Sequence, residues 1–141
     1  MCEPIQPGES HPDLKGIKIK DMTPKQLHKF AEYYNWDGGC GPLLKVIRHP
    51  RCDEGTARLV YWRGEPDYFC QYLKASQVPL YYKEVYALLA DIERRVKKGS
   101  YKRNSIRFDP RNDDGDDLTN DLDTEVMKRE IPDYMYFRER R

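Results

Sequence analysis

The chain reads as one mainly α-helical domain, a compact bundle of about five short helices with an irregular, acidic C-terminal tail. Three observations predict this. Apolar residues recur at helical spacing, most clearly Leu27, Phe30, Ala31 and Tyr34 at i, i+3, i+4 and i+7. The periodic stretches are bounded by capping residues, prolines and glycines. At 141 residues with 12% aromatics, the chain has the rings and length for a single core. A domain of this size buries roughly two thirds of its unfolded surface and needs no disulfide or metal to fold.

Residues 1–20 form an arm rich in Pro4, Pro7, Gly8 and Pro12, followed by Ile17 and Ile19 alternating with lysines as a short strand or extended lead-in. The helical core spans 21–99. Its first helix starts at Asp21 or Thr23 with Pro24 in the first turn. The run Gly38-Gly39-Cys40-Gly41-Pro42 ends it in a loop. A second helix covers Pro42 to Arg48, with Leu43, Leu44 and Ile47 inward, and His49-Pro50 stops it. Asp53 caps a third helix from Glu54 to about Trp62, burying Ala57, Val60 and Tyr61. A short helix follows over Asp67 to Leu73. The longest runs from near Pro79 to Lys98, with Tyr81, Val85, Leu88, Leu89, Ile92 and Val96 on one stripe and Gly99 as its stop. Residues 100–141 make an acidic extended segment and a docking piece. Within it, Ile106 to Phe108 reads as strand or extended chain, and Thr124 to Arg129 as a turn or two of helix. Tyr134, Met135, Tyr136 and Phe137 dock back on the core.

Charge is unevenly placed. The net charge is +1, yet residues 109–141 carry eleven acids against six bases. The near-neutral total gives no case for general nucleic-acid affinity. No apolar run approaches the roughly 18 residues that span a bilayer, and residues 1–14 hold no signal-peptide core, so a lipoprotein role for Cys2 is not expected. A cytoplasmic protein with reduced thiols is expected.

The stretch from Asn35 to Trp62 carries a distinctive constellation: Asn35-Trp36-Asp37-x-Gly39, His49-Pro50-x-Cys52-Asp53-x-Gly55-Thr56-Ala57, and Tyr61-Trp62. On these motifs the chain resembles a bacterial family known as the domain of unknown function numbered forty-two seventy-four, over most of residues 22–132. The resemblance implies no reaction. It implies a neighbourhood: such domains accompany polymorphic toxin genes, including those of type VI secretion, and an immunity protein is the corresponding expectation.

The motif residues have bland explanations. Asn35 takes a left-handed helix exit, Trp36 packs down and Asp37 bonds backbone amides of the next turn. Cys52 is a small buried hydrophobe ahead of the Asp53–Thr56 helix start. The sharper alternative is a cysteine enzyme, with Cys40 or Cys52 as nucleophile and His28 or His49 as base. Zinc fails for Cys40, His49 and Cys52, which offer three ligands without a Cys-x-x-Cys knuckle. An EF-hand fails because Gly115 at the sixth position puts Pro110 at the first and Asp121, not Glu, at the twelfth. No cofactor or metal is expected. The bases Arg94, Arg95, Lys97, Lys98, Lys102 and Arg103 suit a helix C-terminus and can pair with the acidic loop.

The expectation is therefore a non-catalytic binding protein that occludes a cognate toxin one-to-one. Asp113, Asp114, Asp116, Asp117 and Asp121 would steer and block a basic cleft, and Tyr81, Tyr82, Tyr134 and Tyr136 are candidate anchors. A regulatory or scaffolding domain is a further alternative.

Overall fold

The structure is a computed structural model that describes residues 12–136. Five α-helices make the bundle: α1 Pro24–Tyr33, α2 Gly41–Ile47, α3 Glu54–Arg63, α4 Pro66–Phe69 and α5 Lys83–Lys98. No strand occurs among the described residues; of the stretches read as strand or extended chain, 17–18 and 106–108 are irregular chain, and Ile19 opens a 3-10 turn, Ile19–Asp21. The prolines at 4 and 7, Cys2 and Phe137 lie outside the described residues.

Local chemistry sets the helix ends. Thr23, not Asp21, caps α1 in a full capping box: its hydroxyl accepts from the Gln26 amide, and the Gln26 side chain accepts from the Thr23 amide. Asp53 caps α3 and accepts from the Gly55 amide at 2.8 Å. Gly99 closes α5 in the left-handed conformation at φ 72, with the Ser100 amide donating back to the Arg95 carbonyl.

The centre of the domain is α3. Its residues from Glu54 to Trp62 are all buried, so it has no solvent face. That exceeds the expected inward set of Ala57, Val60 and Tyr61. The other helices and the C-terminal chain surround it, and its polar side chains are satisfied inside. Arg58 pairs with Glu54 at 2.7 Å, one turn away, and its guanidinium donates twice to the Tyr134 carbonyl, at 3.1 and 3.2 Å. Trp62 Nε1 donates to the Met135 carbonyl at 2.7 Å, and its ring meets Tyr136 edge-on. The docking of Tyr134, Met135 and Tyr136 on the core thus holds. It is gripped by one helix face, and the 3-10 turn Asp133–Met135 shapes it.

Three expected elements shift. In α2 the inward residues are Leu43, Val46 and Ile47, with Leu44 only half-buried. The short fourth helix is a single turn ending at Phe69, and residues 124–129 form turns rather than helix. The long helix is preceded by a 3-10 turn, Leu80–Tyr82. With about three residues per turn there, the phase slips by one, so Tyr82 is buried and Tyr81 is 77% exposed.

The irregular chain after α5 is tied down at defined points. Asp53 and Arg103 form an isolated parallel bridge: the Glu54 amide donates to the Arg103 carbonyl, and the Ser105 amide donates to Asp53 Oδ2 at 2.7 Å. Farther on, Arg129 lies over the Phe69 ring and pairs with Glu93, which also accepts from the Tyr61 hydroxyl.

Candidate functional site

A cleft of about 480 Å³ opens where the α1–α2 connection, the end of α3, the start of α4 and the acidic segment meet. Its apolar lining includes Trp36, Trp62, Leu118 and Leu122. These include both tryptophans of the chain. The acids Glu65, Asp67 and Asp121 also line it, together with Arg63.

The α1–α2 connection is built by Asn35, though not as expected. Asn35 is extended (φ −86, ψ 107) rather than left-handed. Its side chain, not that of Asp37, is the acceptor that starts the 3-10 turn Trp36–Gly38, taking the Asp37 amide at 3.0 Å. Asp37 itself is exposed. The positive φ falls on Gly39, at 88. Trp36 is thereby held half-buried at the cleft.

The α3–α4 junction forms the opposite wall. Gly64 has an ordinary φ; a methyl there would meet Leu89 Cδ1 at 2.5 Å, so the glycine serves close packing of α3 on α5. The left-handed residue is Glu65, at φ 62. Its carbonyl receives the amides of Tyr68 and Phe69, and Pro66 opens α4.

Arg63 joins three elements. Its guanidinium donates to the Glu32 carbonyl in the last turn of α1 and grips Asp113 in a fork, at 2.8 and 2.9 Å. Asp113 and Asp116 exchange both backbone hydrogen bonds, at 2.7 and 2.9 Å. Asp114 and Gly115 between them have φ 54 and 93, the pattern of a type I′ turn. Asn112 caps this hairpin by accepting the Gly115 amide. Asp117 accepts from both the amide and the hydroxyl of Thr119.

The five aspartates named from the sequence therefore divide. Asp113 is internal mortar and Asp117 is half-buried in its own turn, while Asp114, Asp116 and Asp121 are exposed. The acidic loop pairs with Arg63 rather than with the basic cluster at the end of α5. In that cluster Arg94 and Arg95 turn to the buried Asp91, which Arg48 also holds at 2.7 Å. Burial pushes the Asp91 carboxyl up, but the three guanidiniums outweigh it and hold it below the ordinary carboxylate range. Tyr134 and Tyr136, the candidate partner anchors, are half-buried: the Tyr134 main-chain carbonyl is held by Arg58, and the Tyr136 ring meets Trp62.

The cysteine and histidine residues have other engagements. Cys40, Cys52 and Cys70 are free, buried thiols. Burial, with Asp53 adding to it, pushes Cys52 up to about 12; burial and Glu84 push Cys40 up to about 11. The Cys52 thiol donates to the Asp53 carbonyl. His49 takes the Arg51 amide on Nδ1 at 3.0 Å, which leaves Nε2 to donate to the Lys20 carbonyl at 3.1 Å. His28 Nδ1 bonds the buried Thr56 hydroxyl at 2.8 Å. No nucleophile–base pair is assembled by these contacts. Among the described residues, no three His, Cys, Asp or Glu side chains converge as a metal-holding group, and no helix is long and apolar enough to cross a membrane.

The His28–Thr56 contact makes a pH prediction. Burial outweighs the acids Glu32 and Asp53 and lowers His28 below its ordinary 6.5. The unfolded chain then takes up the proton first as pH falls. Stability is complete above pH 6.5 and declines below it, down to the lowered folded value. Urea midpoints measured at pH 7 and about 5.5 should show this loss in the native chain and a flatter response in His28→Gln.

Of the side chains that build the site, Arg58, Arg63, Glu65 and His28 were not singled out from sequence as structural or cleft residues. Only Arg58 carried a local signal, its i, i+4 spacing from Glu54. Arg63 and Glu65 gain their roles from chain about fifty residues away or from backbone conformation.

The architecture defines a class: a small all-helical domain whose motif tryptophans line an acid-rimmed cleft beside a clamped hairpin. Residues 22–97 match the model of the family described as Domain of unknown function (DUF4274), and the chain belongs to that family. The match ends within α5, short of the expected 132, so Leu118, Asp121 and the hairpin lie beyond it. Comparison with curated proteins and with solved structures gives no match.

Proposed function

We propose that this protein is a cytoplasmic binding protein of the immunity type, which neutralises a cognate bacterial toxin by covering it in a one-to-one complex. One observation carries the reading: the hairpin at 113–116 is locked to Arg63 and presents Asp114 and Asp116 to solvent in a fixed position. Carboxylates so held need little ordering on association, and they attract basic surfaces such as the clefts of enzymes that act on nucleic acids. The burial of the three described thiols favours this over a cysteine enzyme.

Capture from the native host, with the full chain as bait, should recover one protein at unit stoichiometry that is toxic when expressed alone and harmless when co-expressed. Recovery of no toxic partner would remove the immunity reading. In such a complex, Asp114→Asn with Asp116→Asn should slow association by about three- to tenfold at low salt. The difference should shrink near 0.15 M salt, where the screening length falls to about 8 Å. Association rates that ignore both the substitutions and the salt would exclude steering by the hairpin. Asp113 is kept in this test because its substitution would loosen the hairpin itself.

A further inference from the structure

We propose that the cleft holding both tryptophans receives an arginine side chain from a basic segment of a partner protein. The inference rests on the binding-protein reading, and it adds the chemistry of the contact.

Among the described residues, the lining of the cleft is net acidic. Arg63 is already forked onto Asp113, so that pair cancels. Among the described residues, Glu65, Asp67 and Asp121 remain as three carboxylates lining one cavity, Asp67 also accepting the Asp123 amide. An anionic ligand would be repelled by them. A neutral apolar ligand would strip water from three carboxylates without replacing it, which is costly. A cation is the complementary occupant.

The aromatic lining then selects among cations. Half-buried Trp36 flanks the acids, while Trp62 borders the cleft from the core; a guanidinium is planar, weakly hydrated and able to lie on the Trp36 face while donating in its own plane to carboxylates. A lysine ammonium is a compact, strongly hydrated point charge and gains less from the same walls. The volume of about 480 Å³ admits an arginine side chain with the backbone that carries it. Among the described residues, the one arginine lining the cleft, Arg63, is committed to Asp113, so the occupant is assigned to a partner.

The test uses the chain's own reporters. Both tryptophans line the cleft, so tryptophan emission of the full chain reads this site. The peptide acetyl-Gly-Arg-Arg-Gly-amide should change that emission saturably. Its lysine counterpart should bind more weakly, and its citrulline counterpart, equal in shape but uncharged, should give no saturable change. Glu65→Gln with Asp121→Asn should weaken the arginine peptide about threefold or more. Both positions are exposed, so the thermal midpoint of that variant should stay unchanged. Absence of saturation with the arginine peptide, equal binding of the citrulline or lysine peptide, or insensitivity to the double substitution overturns the assignment. The two proposals fail separately. If arginine peptides fail while the chain still captures a toxin one-to-one, only the cleft assignment falls. If they bind but no toxic partner is recovered, only the immunity reading falls.

Discussion

Gly55→Ala should destabilise the domain by about 2–4 kcal/mol, a large effect for one added methyl. A Cβ at this position would lie 2.0 Å from the Ile106 carbonyl oxygen and 3.0 Å from its carbon. Both are backbone atoms, so no rotamer change relieves the clash. The segment they belong to cannot retreat freely either. The Arg103 carbonyl is held by the Glu54 amide at 2.8 Å, and the Ser105 amide by Asp53. Making room breaks the clasp between the start of α3 and residues 103–106, which also exposes the buried Asp53 carboxylate. Gly41→Ala is the matched control. Outside its chain neighbours nothing lies within 4 Å of a Cβ there, and the added methyl meets only the crowding of Pro42, so alanine should cost no more than about 1 kcal/mol. Urea unfolding of the two variants, compared at equal slope, checks the difference. A Gly55→Ala protein as stable as the parent would mean that α3 and residues 103–106 do not meet as described.

Arg58→Ala should be at least as damaging, at about 3–5 kcal/mol. The side chain is 2% exposed and serves two partners, the Glu54 carboxylate and the Tyr134 carbonyl. Truncation leaves a buried carboxylate without its counter-charge, an unpaired carbonyl and a cavity in the centre of the bundle. The loss should spread to the C-terminal piece, because Tyr134 is released beside the Trp62–Met135 hydrogen bond. Red-shifted tryptophan emission under native conditions is the expected signature. Combining Glu54→Gln with Arg58→Met should recover part of the loss, since a buried ion pair replaced as a unit leaves no orphaned charge. If Arg58→Ala costs less than about 1 kcal/mol, the inner face of α3 is wetter than the structure has it.

Both effects arise in α3, and α3 shows how far the sequence reaches. Its start was readable from Asp53, because a helix cap is a local hydrogen bond three residues wide. Its burial was not. A stretch holding Glu54, Thr56, Arg58 and Arg63 reads as one with a polar side. Chain at 103–106 and 134–135, together with His28 and Glu32 of α1 and with Asp113, covers those polar residues. The same limit appears at Asn35 and Asp37. Turn chemistry was correctly located there, but which side chain accepts the amide depends on a backbone angle that composition does not fix. The acidic run at 109–125 could be counted from sequence, whereas its division into the clamped Asp113 and the displayed Asp114 and Asp116 depends on Arg63, fifty positions earlier.

What the sequence alone determined is what short-range physics sets. This includes the caps at Thr23 and Asp53, the glycine stop at 99, the apolar faces of α1 and α5, the helical class, and the motifs that mark the family. Tertiary structure alone decided which polar residues go inside, that both tryptophans share one cleft, and which acids face it. Helix spacing and capping are written within a few residues of chain. The satisfaction of a buried charge requires a partner that only the folded topology brings near.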